Sequence, residues 1–301
     1  MANSICLDEN YSTTKLLIKE KIEIAKKTED KFESALFLQE NENRKGEGGL
    51  RKKGYFKKSY ENKPLISIVT VVYNGEQFLE ETIQSVINQT YDNVEYIIID
   101  GGSTDRTVDI IKKYEDKINY WISEKDSGLY DAMNKGIDLA FGDWINFMNA
   151  GDEFYSVDVL DNIFLKKDFQ DVNIIYGDTD IGRKILKYKK NLDINDFAQG
   201  MVICHQSTFY KKNKNIKYNL NYKICGDQDY TIQYLKNNKA SFYLSFPVSK
   251  YDLNGISSSN LHKIIHEKFL INKSYSFSHL PILKSYVMAM LLRIRKIFIG
   301  Y

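Results

Sequence analysis

Asp143-Trp144-Ile145-Asn146-Phe147-Met148-Asn149-Ala150-Gly151-Asp152 decides the fold of this chain. Trp144, Ile145, Phe147 and Met148 can fill a short strand buried on both faces. The strand then breaks at Asn149-Ala150-Gly151-Asp152, a turn-forming cluster with a single carboxylate. An acid fixed where a buried strand ends can hold a hard divalent cation such as Mg²⁺ or Mn²⁺, which takes oxygen ligands. In open α/β sheets ligands bind at the carboxyl ends of strands. The same four residues also read as a capped strand end with an exposed Asp152.

Upstream, strand and helix patterns alternate. Leu65–Val72 and Val94–Ile99 read as buried strands and Ile118–Ile122 as a third. Gln77–Gln89, with Leu79, Ile83, Val86 and Ile87 inward, reads as an amphipathic helix. Asp105–Tyr114, capped by Ser103 or Thr104, and Gly128–Ala140 read as two more. This alternation predicts an α/β fold, with a Rossmann-like, mostly parallel, doubly wound twisted sheet flanked by helices. Four polar turns would then line one crevice: Tyr73-Asn74-Gly75, Asp100-Gly101-Gly102-Ser103, Glu124-Lys125-Asp126 and Asn149–Asp152. Asp100 could accept from a ribose hydroxyl or a base imide, Tyr73 could stack on a base, and a metal at Asp152 could neutralise a diphosphate. Neither GxGxxG after the first strand nor GxxxxGK[ST] is present, which argues against a dinucleotide fingerprint and a P-loop.

The chain has 301 residues, 43% hydrophobic and 27% charged, enough for one large domain or two small ones. A net charge of +2 gives no general attraction to nucleic acid. Cys6, Cys204 and Cys225 are scattered and odd in number, which suits a reducing compartment rather than a disulfide framework or zinc cluster. Neither a signal peptide nor a run of about 20 apolar residues is visible, so the expected location is the cytoplasm. Residues 1–63 read as an accessory region. Ile18, Ile22, Ala25, Phe32 and Leu36 share a helical stripe, and Asn41–Lys63, with four glycines among eight basic residues, reads as a flexible basic linker. That linker is either a solvated connector or a contact for anionic lipid headgroups.

These motifs resemble the family 2 glycosyltransferases of GT-A fold. The resemblance runs from Ile66–Asn74 through Ile99–Asp105 and Ser123–Ile137 to Asn149–Asp152, and covers roughly residues 64–250. It implies a GT-A domain over 64–255, an N-terminal accessory part over 1–63 and a helical tail over 256–301. It also implies donor-binding roles for Tyr73, Asn74 and Asp100, and for Asp131 and Asn134 on the helix over the donor. Asn149 joins that donor-binding set, and Asn149–Asp152 stands where the family carries its DxD-type metal motif. The chain departs from that motif: Asn149 replaces the first acid and Gly151 the third, and Asp152 alone keeps a carboxylate. One carboxylate with phosphate oxygens and waters can still hold Mg²⁺.

In the second half, Ile174–Tyr176 reads as a strand ending at a Gly177-Asp178 turn. Cys204–Tyr210 resembles a segment that the family uses near its metal. His205 is therefore either a second metal ligand or phosphate contact, or a hydrogen-bonded structural residue, and Cys204 reads as a buried small side chain. Gly226-Asp227-Gln228-Asp229-Tyr230 opens a helix through Leu235, where acids can merely complement the helix dipole. The resemblance gives the catalytic base to Asp227, with Asp229 as the alternative. Pro281–Tyr301 reads as an apolar helix followed by basic residues, packed on the core or lying on the inner face of a membrane.

The function so implied is an inverting hexosyltransferase. It would move one sugar from a nucleotide-diphospho-sugar, a UDP-sugar by resemblance, to a hydroxyl of a glycan or lipid-linked acceptor in surface polysaccharide assembly, with Mg²⁺ or Mn²⁺. The alternative is a catalytically weak GT-A scaffold that binds nucleotide-sugars or partner transferases. A nucleotidyltransferase shares the alternating pattern, but Tyr73-Asn74-Gly75-Glu76 lacks the Gly-rich, Arg-containing loop of that class. The chain also lacks the Gln-x-x-Arg-Trp signature of processive synthases; Trp121 and Trp144 both fall inside expected strands.

Overall fold

The computed structural model describes residues 4–19, 35–166, 169–236, 240–251 and 261–278. Among these, the sheet has ten strands: β1 Arg44–Gly48, β2 Ile66–Val72, β3 Val94–Asp100, β4 Tyr120–Glu124, β5 Trp144–Phe147, β6 Glu153–Phe154, β7 Val172–Asp180, β8 Ile185–Leu186, β9 Thr208–Lys211 and β10 Ala240–Lys250. The helices are α1 Leu79–Ile87, α2 Thr107–Lys113, α3 Leu129–Leu139, α4 Val159–Phe164, α5 Gly226–Leu235 and α6 Leu261–Ser274. The sheet order is β1-β4-β3-β2-β5-β9-β7-β10-β6, with β8 beside β7.

The parallel part, β4-β3-β2-β5, comes from the alternation read in the sequence. Every residue of β2 and β3 is buried, as continuous apolar strands with helices on both faces require. Ile83 and Val86 of α1 join Ile66, Ile68 and Ile98 on one face. Met133 and Ile137 of α3 join Val69, Ile97 and Phe147 on the other. Each such side chain contributes roughly 1.5–3 kcal/mol by leaving water. α3 lies close to β2 because residue 136 is glycine: a Cβ there would come within 2.4 Å of Val69 Cγ1. The expected GT-A architecture is the one observed.

Four local expectations are corrected. Asn41–Lys63 is not a flexible linker. Its residues 44–48 form β1, antiparallel to β4, and extend the sheet. Arg51 is buried beside Glu95 at 2.6 Å and donates to the Leu139 carbonyl at 2.8 Å. Lys57 is buried as well and donates to the carbonyls of Ser12 and Asp92. The basic composition that suggested a solvated connector thus partly serves internal pairing.

Of the expected helical stripe, Ile22, Ala25 and Phe32 lie outside the described residues. Ile18 instead bridges Phe56 in antiparallel β geometry. β7 runs through Gly177-Asp178, where a turn was expected, because β10 pairs with both residues, after the pairing with β9 has ended at Tyr176. Asp105, rather than Ser103 or Thr104, accepts from the Thr107 N–H at the start of α2. Pro281–Tyr301 lies outside the described residues.

Candidate functional site

Parallel strands bring their carboxyl ends to one edge, so the turns after β2, β3, β4 and β5 are neighbours. β9 is antiparallel to β5 and to β7, so β7 also ends at this edge and β9 begins there. The candidate site lies along this margin. With strands about 4.8 Å apart, the ends of β3 and β5 are separated by about 10 Å.

The β2 and β3 turns are joined by hydrogen bonds. The Asn74 N–H donates to Ser103 Oγ at 2.8 Å, and Asn74 Oδ1 accepts from the Thr104 N–H at 2.8 Å. Gly75 N–H donates to Thr107 Oγ1, and Glu76 N–H to Asp105 Oδ2. Asn74 takes a left-handed backbone, φ 51°, which asparagine tolerates better than most residues. Tyr73 is 65% exposed, so its ring is open to a ligand. Asp100 is fully buried. Its carboxylate accepts from the Gly102 and Ser103 N–H groups, from Ser123 Oγ at 2.6 Å and from Ser103 Oγ. Asp100 therefore holds its own loop in shape. Lys45, on β1, donates to the carbonyls of Gly102 and Ser103 at 2.8 and 3.0 Å and brings the N-terminal segment to this turn.

Across α3, Asp131 accepts from the Ser127 N–H at 3.0 Å. Asn134 clasps the backbone of Tyr218, donating to its carbonyl and accepting from its N–H, both at 2.9 Å. Asn134 thus organises the approach to α5 rather than presenting its amide to the crevice.

At the β5 end, Asp152 is only 6% exposed, which corrects the reading of an exposed strand-end acid. Its Oδ2 accepts from Gln206 Nε2 at 2.7 Å, and its carbonyl from Thr82 Oγ1 at 2.9 Å. Nδ2 of Asn149 lies 3.1 Å from Nε2 of His205, and Nδ1 on the other side of that ring lies 3.7 Å from Asp227 Oδ2. Asn149, His205 and Asp227, distant in sequence, therefore form one chain of polar groups from the β5 turn to the first turn of α5.

Asp229 faces elsewhere. Its carboxylate accepts from Tyr275 Oη at 2.8 Å and Gln233 Nε2 at 2.9 Å, and burial raises its pKa. The α5 entry is set by Tyr130 of α3. Tyr130 Oη donates to the Ile224 carbonyl at 2.7 Å and accepts from the Gly226 N–H at 2.9 Å. Its ring stacks on Tyr218, which stacks on Tyr230 of α5 at 4.1 Å between centroids. Cys204 is half-buried, and desolvation pushes its thiol up to about 12, consistent with a packing role.

Among the described residues no three His, Cys, Asp or Glu side chains converge as a self-sufficient metal site. The donors present are the Asp152 carboxylate, the His205 imidazole, the Asp227 carboxylate and Asn149 Oδ1, a buried oxygen that lacks a hydrogen-bond partner among the described residues. An oxygen so placed is open to a water, a ligand group or a cation. This set fits a hard cation completed by phosphate oxygens and water, not one enclosed by protein alone.

Sequence reasoning missed Gln206, Tyr130 and Ser123. All three lie inside the motif segments, but that Gln206 meets the Asp152 carboxylate, Tyr130 the backbone before Asp227 and Ser123 the Asp100 carboxylate depends on tertiary contacts.

The chain matches the sequence model for glycosyl transferase family 2 over residues 67–228. It is 30% identical over 217 residues to the PGL/p-HBAD biosynthesis glycosyltransferase of Mycobacterium bovis, covering 69% of this chain and 83% of that protein. It is 29% identical over 240 residues to a glycosyltransferase of Haemophilus influenzae, covering 74% and 93%. In fold it is similar to S. aureus TarS residues 1–349 in complex with UDP-GlcNAc, with TM-score 0.56, 18% identity and 69% and 66% of the two chains covered. It is also similar to the mannosyltransferase PcManGT of Pyrobaculum calidifontis in complex with GDP-Man and Mn²⁺, with TM-score 0.51, 16% identity and 65% and 59% covered.

Proposed function

We propose, from the premise that this chain belongs to glycosyl transferase family 2 and has the GT-A fold, that it is an inverting hexosyltransferase. It moves one sugar from a nucleotide-diphospho-sugar, a UDP-sugar, to a hydroxyl of a glycan or lipid-linked acceptor in surface polysaccharide assembly. The UDP and UDP-GlcNAc complexes of TarS support the choice of donor. The observation that carries the reading is the Asn149–His205–Asp227 chain, which couples the strand end suited to a diphosphate with the acid suited to an acceptor.

In the mechanism, Tyr73 stacks on the base and the turn built by Asn74 and Asp100 receives the nucleoside. The first turn of α3, with Asp131, covers the donor. Asp227 accepts the proton of the acceptor hydroxyl as its oxygen attacks the anomeric carbon from the face opposite the diphosphate. The C–O bond to the diphosphate breaks and the electron pair leaves on the phosphate oxygen, inverting the anomeric centre. His205 keeps the Asp227 carboxylate oriented and, with Asn149, lies toward the departing charge. Asp152, His205 and Asn149 would hold Mg²⁺ or Mn²⁺, which when bound stabilises charge on the diphosphate as a Lewis acid.

The proposed domain limits are 1–63 for the accessory part, 64–255 for the GT-A domain and 256–301 for the C-terminal part. The proposed location is the cytoplasm, with contact on the inner face of a membrane. No helix among the described residues is long and apolar enough to cross one.

Incubating the chain with a panel of nucleotide-sugars, Mn²⁺ and glycan or lipid-linked acceptors tests the reading. Acceptor-dependent release of nucleoside diphosphate is expected. Donor binding without release from any pair would favour the alternative, a nucleotide-sugar-binding scaffold, for which the replacement of acids by Asn149 and Gly151 speaks.

A further inference from the structure

The β7–β8 hairpin carries an unbalanced charge. Residues 181–190 contain Arg183, Lys184, Lys187, Lys189 and Lys190 and no acid. All five are exposed, and among the described residues Lys189 alone forms an ion pair, with Asp196 at 2.8 Å. In a chain of net charge +2, this is a concentrated local field rather than part of a generally basic surface.

The hairpin is also placed where a partner matters. β7 ends at the same sheet edge as β2, β3 and β5, so the hairpin projects from the margin that holds the candidate site. Its base is tied to that site. Tyr188 Oη donates to Thr179 Oγ1 at 3.1 Å, and Thr179 Oγ1 lies 2.7 Å from Ser207 Oγ, two residues beyond His205. The nucleoside turns lie on the other side of β5, across β2 and β3. The hairpin therefore faces the acceptor end of the crevice, not the donor end.

The form of the surface indicates its partner. The tight turn at Gly182, φ 75°, presents Arg183 and Lys184 at the tip, and Lys187 and Lys190 follow on the return arm. Ile185, 41% exposed, stands among them. Cations spread over a projecting hairpin suit many phosphates in a plane better than one phosphate in a pocket, and an apolar side chain among them suits the interface below the headgroups.

We infer that the β7–β8 hairpin docks the chain on an anionic phospholipid surface, holding the acceptor end of the crevice against the bilayer. This rests on the transferase reading for its purpose, since it would bring a lipid-linked acceptor to Asp227, but the lipid contact can be measured without any sugar transfer.

The test uses the full chain in vesicle flotation, with phosphatidylcholine vesicles and with vesicles that also contain phosphatidylglycerol. The unaltered chain is expected to float with the anionic vesicles only, and less as salt is raised. The quadruple variant Arg183→Gln, Lys184→Gln, Lys187→Gln and Lys190→Gln should lose most of this, at roughly fivefold in affinity per charge removed. Unchanged melting temperature and unchanged thermal shift with UDP would exclude unfolding of the variant.

Equal flotation of variant and unaltered chain would overturn the inference. So would loss of flotation on removing residues 281–301 with the hairpin intact, or an unaltered chain that binds neither vesicle. Loss of binding to soluble inorganic pyrophosphate in the variant, with vesicle binding retained, would also overturn it, in favour of a phosphate site for a soluble acceptor. Failure to release nucleoside diphosphate would instead strike the transferase reading and leave the lipid result standing.

Discussion

Nδ1 of His205 lies 3.7 Å from Oδ2 of Asp227, while Nε2 of the same ring meets the Asn149 amide. This geometry makes His205 the link between two halves of the reaction. His205→Ala is expected to lower kcat/KM by about 10–100-fold, the usual cost of removing a group that orients a catalytic or metal-binding partner. Steady-state kinetics with a fixed acceptor checks this; an unchanged kcat/KM would take His205 out of the mechanism.

The hydroxyl of Tyr130 bridges the Ile224 carbonyl and the Gly226 N–H immediately before Asp227. Tyr130→Phe keeps the ring stack on Tyr218 and removes only the bridge. The lost hydrogen bonds should cost about 0.5–1.5 kcal/mol of stability each. The informative effect is kinetic: kcat should fall by roughly 10-fold while donor affinity holds, because the acid is displaced rather than the nucleotide site. Calorimetric titration of UDP alongside turnover separates the two quantities.

Two lysines, Lys57 in the interior and Lys212 half-buried, predict the pH dependence of stability. Burial pushes Lys57 down to about 7 and Lys212 down to about 8, from an ordinary value of 10.5. Between those values and 10.5 the unfolded chain binds more protons than the folded one, so stability rises with pH across this window. Each group contributes about 1.4 kcal/mol per pH unit at most. Thermal melts of the unaltered chain should rise from pH 7 to pH 9. Lys57→Met should give a visibly flatter profile, and an identical slope would mean that Lys57 stays charged in the folded state.

Removal of divalent cations should abolish turnover, since the Asp152 carboxylate is itself negative and cannot offset the charge of a departing diphosphate, as a cation held beside it would. Activity after EDTA, and after re-addition of Mn²⁺ or Mg²⁺, measures this. Full activity in EDTA would remove the metal from the scheme.

The parallel half of the sheet was legible because its signals are local. The apolar runs of β2 and β3 and the period of α1 and α3 each specify one element, and alternation specifies their order. The N-terminal region was misread for the same reason. Arg51 and Lys57 look solvated by composition, and nothing near them in sequence announces Glu95 or the Ser12 and Asp92 carbonyls as partners. β7 outran its expected end because β10, which lies far away in the chain, pairs with it through residues 177–180. At the site, motifs brought Asp152, His205 and Asp227 to attention, but only tertiary contacts turn Asp229 toward Tyr275 and leave Asp227 beside His205.

The central claim is that Asp227 takes the acceptor proton. Its most direct test is turnover of Asp227→Asn, with donor binding measured on the same preparation and Asp229→Asn as the comparison. The account predicts at least about 100-fold loss of kcat in Asp227→Asn with unchanged affinity for the donor. Near-normal turnover in Asp227→Asn, with Asp229→Asn inactive, would contradict it.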